Sequence, residues 1–198
     1  MIALATERPG WLLGYQDETW WSRVARPALS AWAEPQRPVR LTEVAIPADD
    51  PAPKALACYG LWLPERNETW LRFVDGRPVS ALTIDYLTWC TEQAAVRGMT
   101  TLILIWDNAG WHVSHQVRDW LRRHNQAVAR TGHGVRLIPC WLPSRSPWLN
   151  PIEPKWGHGK RRVVEPERVL SPDELEERVC QVFDCPRYPH LSLSNDVT

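Results

Sequence analysis

Short apolar runs bounded by turn residues alternate with longer amphipathic stretches along this chain. Five of the runs have the length and apolar content of strands: 11–16, 56–63, 70–74, 100–106 and 135–140. Four stretches are predicted to be helical: Ser80 to about Arg97, Val113–Arg130, and the segments that follow Asn150 and Ser171. Three strands followed by alternating helices and strands predict an α/β fold with a mixed central sheet flanked by helices.

Acidic side chains stand where three of these elements begin or end. Asp107 directly follows an apolar run, and because an unpaired carboxylate is costly to bury, we expect it at the C-terminal tip of that strand, where α/β proteins place ligand sites. Asp17 and Glu18 follow the first run. Because neighbouring residues of a strand point to opposite faces, only one of these two can face a given site. Glu153 lies at the start of a predicted helix, so acids from distant parts of the chain are available to one site.

Several hard oxygen ligands of this kind suit Mg²⁺ or Mn²⁺ better than zinc, which prefers His and Cys. Two such ions can clamp the attacking and the leaving oxygen of an in-line phosphoryl displacement. Simpler interpretations stay open on local grounds. The string from Asn150 to Glu153 is also typical of a helix start with Asn as the N-cap and Glu three residues later. Asp107-Asn108 is also typical of an ordinary exit from a strand into a turn.

Charge is distributed unevenly, although the formal net charge is zero. Residues 108–170 hold 11 Lys and Arg against 4 acids, whereas residues 1–107 hold 10 against 13 and residues 171–198 hold 2 against 6. A basic surface beside a carboxylate site suits a polyanionic substrate, because phosphate neutralisation dominates nucleic-acid affinity. We predict that four residues after Glu153 contact DNA: Lys155, Lys160, Arg161 and Arg162. For Arg118 and Arg122 a solvated helix face is the favoured interpretation.

Three motifs resemble the DDE catalytic core of mariner-superfamily transposases, in particular the branch found in bacterial insertion sequences. They are Asp17-Glu-Thr, then Trp-Asp107-Asn108-Ala with His112, and Ser146-Pro-Trp-Leu-Asn150-Pro-Ile-Glu153 followed by Trp156. The resemblance runs from roughly Trp11 to Arg162, and the Ser-Pro-x-Leu-Asn-Pro-Ile-Glu string is its most specific part. It implies an RNase H-like fold with Asp17, Asp107 and Glu153 as the catalytic, metal-binding triad.

The resemblance also implies the chemistry and the partners. The chain would be the core of a cut-and-paste DNA transposase that cleaves phosphodiesters and transfers strands with two Mg²⁺ or Mn²⁺ ions. Asn108, His112 and Asn150 would support the site. The partners would be transposon-end DNA, target DNA and a second copy of the chain, with which it would form a homodimer on DNA. The protein would act in the nucleoid region of the cytoplasm. The alternatives are an inactive remnant that only binds DNA or a partner transposase, and an RNase H-type or junction nuclease.

Two departures from the family pattern stand out. The 45 residues between Asp107 and Glu153 exceed the usual spacing, and the additional length falls in the polar stretch 125–134, where a surface insertion would be tolerated. The family carries helix-turn-helix modules before this core, but only sixteen residues precede Asp17. We therefore expect no such module in this sequence, and a separately encoded helix-turn-helix subunit as one possible partner.

The remaining features narrow the class of protein. Residues 1–170 are predicted to form the catalytic core and 171–198 a helix and tail that pack on it. Neither a run of eighteen apolar residues nor a charged-then-apolar leader occurs, so no membrane span or signal peptide is expected. The five cysteines are expected to be free thiols in a reducing compartment. A zinc site of Cys180, Cys185 and His190 is disfavoured because the spacing matches no standard finger. Most of the thirteen Trp are expected in the core, with one or two free to stack on bases.

Overall fold

The computed structural model describes residues 7–25, 44–143, 146–165 and 167–193. Its strands are β1 (Trp11–Ser22), β2 (Ala55–Leu63), β3 (Glu68–Val74), β4 (Thr101–Trp106) and β5 (Arg136–Trp141). Its helices are α1 (Ser80–Val96), α2 (His115–Thr131), α3 (Ile152–Val163) and α4 (Pro172–Val182). The strands form one sheet in the order β3-β2-β1-β4-β5, in which β1 runs antiparallel to β2 and parallel to β4. The predicted mixed sheet with flanking helices is confirmed.

The sheet has an apolar core on each face. Alternate residues of β1 and β4 divide between the two: Leu12 and Leu102 pack on the side of α1 and α2, whereas Leu13 and Ile103 pack on the side of α3 and α4. All six residues of β4 are buried, because a central parallel strand has neighbours on both edges and helices on both faces. This arrangement fixes which face each polar residue at the strand ends can reach.

One strand differs from the sequence-based prediction in extent. β1 continues to Ser22 rather than ending near Gln16, because its second half pairs with β2. The stretch 125–134 lies at the surface, and its first part belongs to α2, which runs to Thr131, close to the predicted end at Arg130, and ends at Gly132 in the left-handed conformation. The side chain of Asn125 accepts from the backbone N–H of Leu137 at 2.9 Å and donates to its carbonyl at 2.7 Å. Asn125 therefore ties α2 to the outer strand β5.

The segment after α4 returns to the edge of the sheet. Leu191 forms a parallel bridge with Val74. His190 lies between Asp75, at 2.6 Å, and Glu176, at 2.5 Å, so both of its ring nitrogens are engaged by carboxylates. These contacts hold the tail against β3 and α4 as far as the described residues reach; residues 194–198 of the predicted tail lie outside them.

Within the described ranges, no helix combines the length and the apolar character that crossing a membrane requires. Cys58, Cys90 and Cys180 are buried, and all five cysteines are free thiols.

Candidate active site

The parallel pairing of β1 with β4 brings two of the candidate acids to the same level of the sheet. Tyr15 pairs with Ile105, and Asp17 and Asp107 each lie two residues further along their strands. Asp107 follows β4 directly, so its prediction at the strand tip is confirmed. Asp17 lies inside β1, at a point where β1 has passed the end of β4 and is paired on its other side with β2.

Asp17 and Glu18 reach opposite faces of the sheet, as the alternation of a strand requires. The Asp17 carboxylate accepts a hydrogen bond at 2.9 Å from the indole Nε1 of Trp156, on α3. Burial, together with the negative charges of Glu18 and Glu153, raises the pKa of Asp17 to about 7, although the hydrogen bond from Trp156 opposes the shift. Asp17 is therefore a carboxylate in a region of excess negative charge whose hydrogen-bonding partner is a neutral indole.

Glu18 meets Asp107 through a histidine on the other face. The side chain of His112 is fully buried, with Nε2 at 2.8 Å from Glu18 Oε1 and Nδ1 at 2.8 Å from Asp107 Oδ1. Burial alone would lower the pKa of His112, but the charge of Glu18 and the hydrogen bonds to both carboxylates raise it to about 9. The ring is thus protonated at neutral pH and donates to both acids.

Asp107 is held by its own turn as well. Its Oδ1 also accepts from the backbone N–H of Ala109 at 2.9 Å, and the side chain is 47% exposed. The hydrogen bond from His112 holds the pKa of Asp107 below its usual range. Next to it, Asn108 donates from Nδ2 to the carbonyl of Leu142 beyond β5. The turn after β4 is therefore fixed at both residues, which is more than a plain strand exit needs.

Asn150 and Glu153 do not form the capping motif that their spacing suggested. The N-cap of α3 is Pro151, without a side-chain cap hydrogen bond, and Asn150 is buried and donates from Nδ2 to the carbonyl of Gln16 at 3.1 Å. The capping interpretation of Asn150 is wrong, because this amide is used to tie the start of α3 to β1 next to Asp17. Glu153 is exposed in the first turn of α3, and its negative charge contributes to the raised pKa of Asp17.

The donor set fits a hard divalent cation. Asp17, Asp107 and Glu153 supply carboxylate oxygens, and burial together with the charges of Glu18 and Glu153 disfavours an ionised Asp17, which a bound cation would compensate. In the ranges that the structure describes, no three His, Cys, Asp or Glu side chains stand close enough to hold a metal ion. Convergence of the three acids within bridging distance therefore stays a prediction.

The basic residues predicted to contact DNA all lie on α3. Lys160, Arg161 and Arg162 are exposed in its last turn. Lys155 is half-buried, with Nζ 4.4 Å from the centre of the Trp62 ring, so its charge is held close to the sheet. An α-helix rises about 1.5 Å per residue. The exposed basic turn therefore lies on the order of 10 Å from Glu153 along the helix.

The family is decided by the sequence of the central part of the chain. A model of the DDE superfamily endonucleases matches residues 61–176, more than half of the 198 residues. The chain belongs to the DDE superfamily endonucleases. The match includes Asp107 and Glu153 and begins after Asp17, so the family assignment does not bear on the first acid. No curated protein matches the chain significantly in sequence.

Several solved structures of the Mos1 transposase have a similar fold. The Mos1 paired-end complex with the left transposon end matches at a TM-score of 0.64 and 18% identity, over 88% of this chain and 48% of that one. The Mos1 mariner paired-end complex with Mn matches at 0.60 and 20%, over 87% and 48%. The catalytic domain of Mos1 mariner transposase matches at 0.53 and 16%, over 88% and 70%.

These matches confirm the RNase H-like fold. This DDE endonuclease chain spans about half the length of the Mos1 chains in the two paired-end complexes. The assignment to a bacterial insertion-sequence branch stays a prediction.

Sequence reasoning missed three contributors to this site: Glu18 as a partner of His112, Trp111, and the indole of Trp156 as a donor to Asp17. Trp111 donates from Nε1 to Glu18 Oε2 at 3.1 Å. The alternation of β1 did indicate that Glu18 faces away from Asp17, but nothing in the spacing shows which loop covers that face. The position of His112, five residues after Asp107, was the one available signal.

Proposed function

We propose that this chain is the catalytic core of a DNA transposase, which hydrolyses phosphodiesters at the ends of an element and then joins them to target DNA. The observation that carries the proposal is the placement of Asp17 and Asp107 at matching levels of two adjacent parallel strands, in a DDE endonuclease. Glu153 adds a third acid, from a helix whose Trp156 contacts Asp17. The fold shared with Mos1 transposase, which has been solved in paired-end complexes with a transposon end and with Mn, also supports the proposal.

The reaction has two steps, hydrolysis and strand transfer. In hydrolysis, a water oxygen attacks the phosphorus, the bond from phosphorus to the 3′ oxygen breaks, and that oxygen leaves as a 3′-hydroxyl. In strand transfer, the new 3′-hydroxyl attacks a target phosphodiester. A P–O bond to the element end forms, the bond from the target phosphorus to its own 3′ oxygen breaks, and that oxygen leaves as a 3′-hydroxyl. When bound, two divalent cations, Mg²⁺ or Mn²⁺, would lower the pKa of the attacking water or hydroxyl and compensate the charge on the leaving oxygen.

The residues of the chain have separate tasks in this scheme. Asp17 and Asp107 would hold one ion between them, and Glu153 the second. His112 and the Ala109 N–H fix Asp107 Oδ1, and Asn108 fixes the turn beside it. Asn150 anchors the start of α3 to β1, so that Glu153 keeps its position relative to Asp17.

DNA is the proposed substrate and partner, with element ends and target bound beside the acids. The exposed basic end of α3 can neutralise phosphates, which positions a strand without reading its bases. A homodimer on DNA and a separate helix-turn-helix subunit belong to the same proposal.

The test is metal-dependent nicking of a supercoiled plasmid by the purified chain. Asp107→Asn should abolish nicking in Mg²⁺ and in Mn²⁺, because it removes a negative ligand and keeps the shape of the side chain. DNA affinity and melting temperature should stay close to those of the wild type. The matched control is Asp119→Asn, on the exposed face of α2, where the acid pairs with the neighbouring Arg122. This variant should nick normally.

Two results would count against the proposal. Nicking by Asp107→Asn at nearly the wild-type rate would remove the catalytic role of the acid. A wild-type chain that binds DNA and nicks in neither metal would leave only a DNA-binding remnant.

A further inference from the structure

Glu18 is a buried carboxylate that the proposed chemistry does not use. Its side chain is 7% exposed and accepts three hydrogen bonds. Gln16 Nε2 and His112 Nε2 both donate to Oε1 at 2.8 Å, and Trp111 Nε1 donates to Oε2 at 3.1 Å. A carboxylate with both oxygens engaged by N–H donors is held in one orientation.

His112 is held equally firmly. Its ring stacks on Trp106 with 4.5 Å between ring centres and an interplanar angle of 21°, and it meets Trp111 edge-on at 6.1 Å. Its backbone N–H donates to the carbonyl of Ala109 at 2.9 Å, which closes the turn after Asp107. With the ring plane fixed by packing and one nitrogen fixed by Glu18, the direction of Nδ1–H toward Asp107 is set.

We propose that Glu18 is a positioning residue that acts through His112 to aim Asp107 at the divalent cation. This inference rests on the proposed function, since it assumes that Asp107 is a metal ligand. Among the described residues, both hydrogen bonds of the Asp107 carboxylate are made to Oδ1, and the half-exposed side chain leaves Oδ2 to face a cation. Glu18 therefore fixes the rotation of the Asp107 carboxylate from the opposite face of the sheet.

The geometry separates this role from that of a ligand. Glu18 faces Trp111 and His112 in the turn before α2, whereas the neighbouring Asp17 faces Trp156 on α3. Both ring nitrogens of His112 meet carboxylate oxygens, so the ring spans the two acids and offers no lone pair to a metal. Partners that orient a metal ligand in this indirect way typically change metal affinity or activity by about 10- to 100-fold when they are replaced.

The first experiment compares Glu18→Gln with the wild type and with Glu92→Gln, an exposed position on α1. Mn²⁺ binding is measured by electron paramagnetic resonance of the free ion, and plasmid nicking is measured as a function of Mg²⁺ concentration. In Glu18→Gln we expect the Mn²⁺ dissociation constant and the Mg²⁺ concentration for half-maximal nicking to rise together, by about 10- to 100-fold. The rate at saturating metal should change only a few-fold, and DNA affinity should not change. Glu92→Gln should match the wild type.

A second measurement uses the wild-type chain and can therefore test the proposal even if Glu18→Gln does not fold. Nuclear magnetic resonance of the ¹⁵N-labelled histidine rings should show the Nδ1–H signal of His112 shifting as Mg²⁺ is added. His190, which also lies between two carboxylates, is the internal control and should not shift.

The outcomes distinguish this inference from the function on which it rests. Unchanged Mn²⁺ affinity in a folded Glu18→Gln chain, or an unmoved His112 signal while the wild type binds Mg²⁺, would overturn the positioning role and leave the proposed function intact. Loss of nicking at every Mg²⁺ concentration would overturn it too, because Glu18 would then act in the chemistry itself. A wild-type chain that binds no Mn²⁺ and does not nick would overturn both.

Discussion

Gly60 makes room for the indole that contacts Asp17, and Gly60→Ala tests whether that room matters. Gly60 lies directly opposite Asp17 in the β1–β2 pairing. A Cβ at this position would stand 2.3 Å from Trp156 Cη2 and 2.6 Å from Cζ2. The ring has little freedom to retreat, because Trp21 and Phe183 contact it at centre-to-centre distances of 6.0 and 5.3 Å.

We expect Gly60→Ala to lower the free energy of unfolding by about 1–3 kcal/mol, the usual cost of an added carbon in a packed core. Displacement of the ring should also weaken the 2.9 Å hydrogen bond to Asp17. Since that bond lowers the pKa of Asp17, its loss should raise the pKa further and weaken Mn²⁺ binding near neutral pH. Urea unfolding and Mn²⁺ titration measure the two effects separately.

Two comparisons isolate the cause. In Gly14→Ala the new Cβ would lie 2.5 Å from Leu61 Cδ1, on the other face of the sheet, so stability should fall while Mn²⁺ affinity stays the same. In a Trp156→Phe background the clashing atoms are removed, and Gly60→Ala should then cost at least about 1 kcal/mol less than in the wild type. An equal cost in the two backgrounds would refute the steric argument.

Two further predictions concern the basic end of α3 and the tail. Replacing the three exposed basic residues of α3 by Ala should reduce the slope of log DNA-binding constant against log salt concentration by about one to three units. The measurement is a fluorescence-anisotropy titration of an element end and of a scrambled duplex. A preference of more than about a hundredfold for the element end would contradict contacts to phosphates alone. The three residues are Lys160, Arg161 and Arg162. Burial alone would lower the pKa of His190, but its hydrogen bonds to Asp75 and Glu176 raise it. Its ion pairs therefore contribute fully to stability below the unfolded pKa of about 6.5, and the contribution is lost as the pH rises through the folded pKa. The difference in free energy of urea unfolding between the wild type and His190→Gln should be larger at about pH 5.5 than at about pH 9. Equal differences at the two pH values would contradict this prediction.

The sequence by itself determined the elements that contain the acids. The apolar run that ends in Asp107 predicted a buried strand with the carboxylate at its tip, because an unpaired carboxylate inside the strand would be costly to bury. Strand alternation likewise separated Asp17 from Glu18 before any fold was known. Hydrophobic periodicity located all five strands and four helices of the described chain to within a few residues, apart from the second half of β1, which is extended by pairing with β2.

Only the tertiary structure decided which side chains meet across those elements. Asn150 has the spacing of a helix cap, yet it binds the carbonyl of Gln16, because the packing of α3 on β1 offers a buried acceptor there. The same holds for Glu18, which reaches Asp107 through His112 because the turn after β4 folds the ring back over the sheet. Local patterns determine backbone periodicity and burial. Hydrogen bonds between residues distant in the chain depend on the register of β1 with β4 and on helix packing, which no local pattern contains.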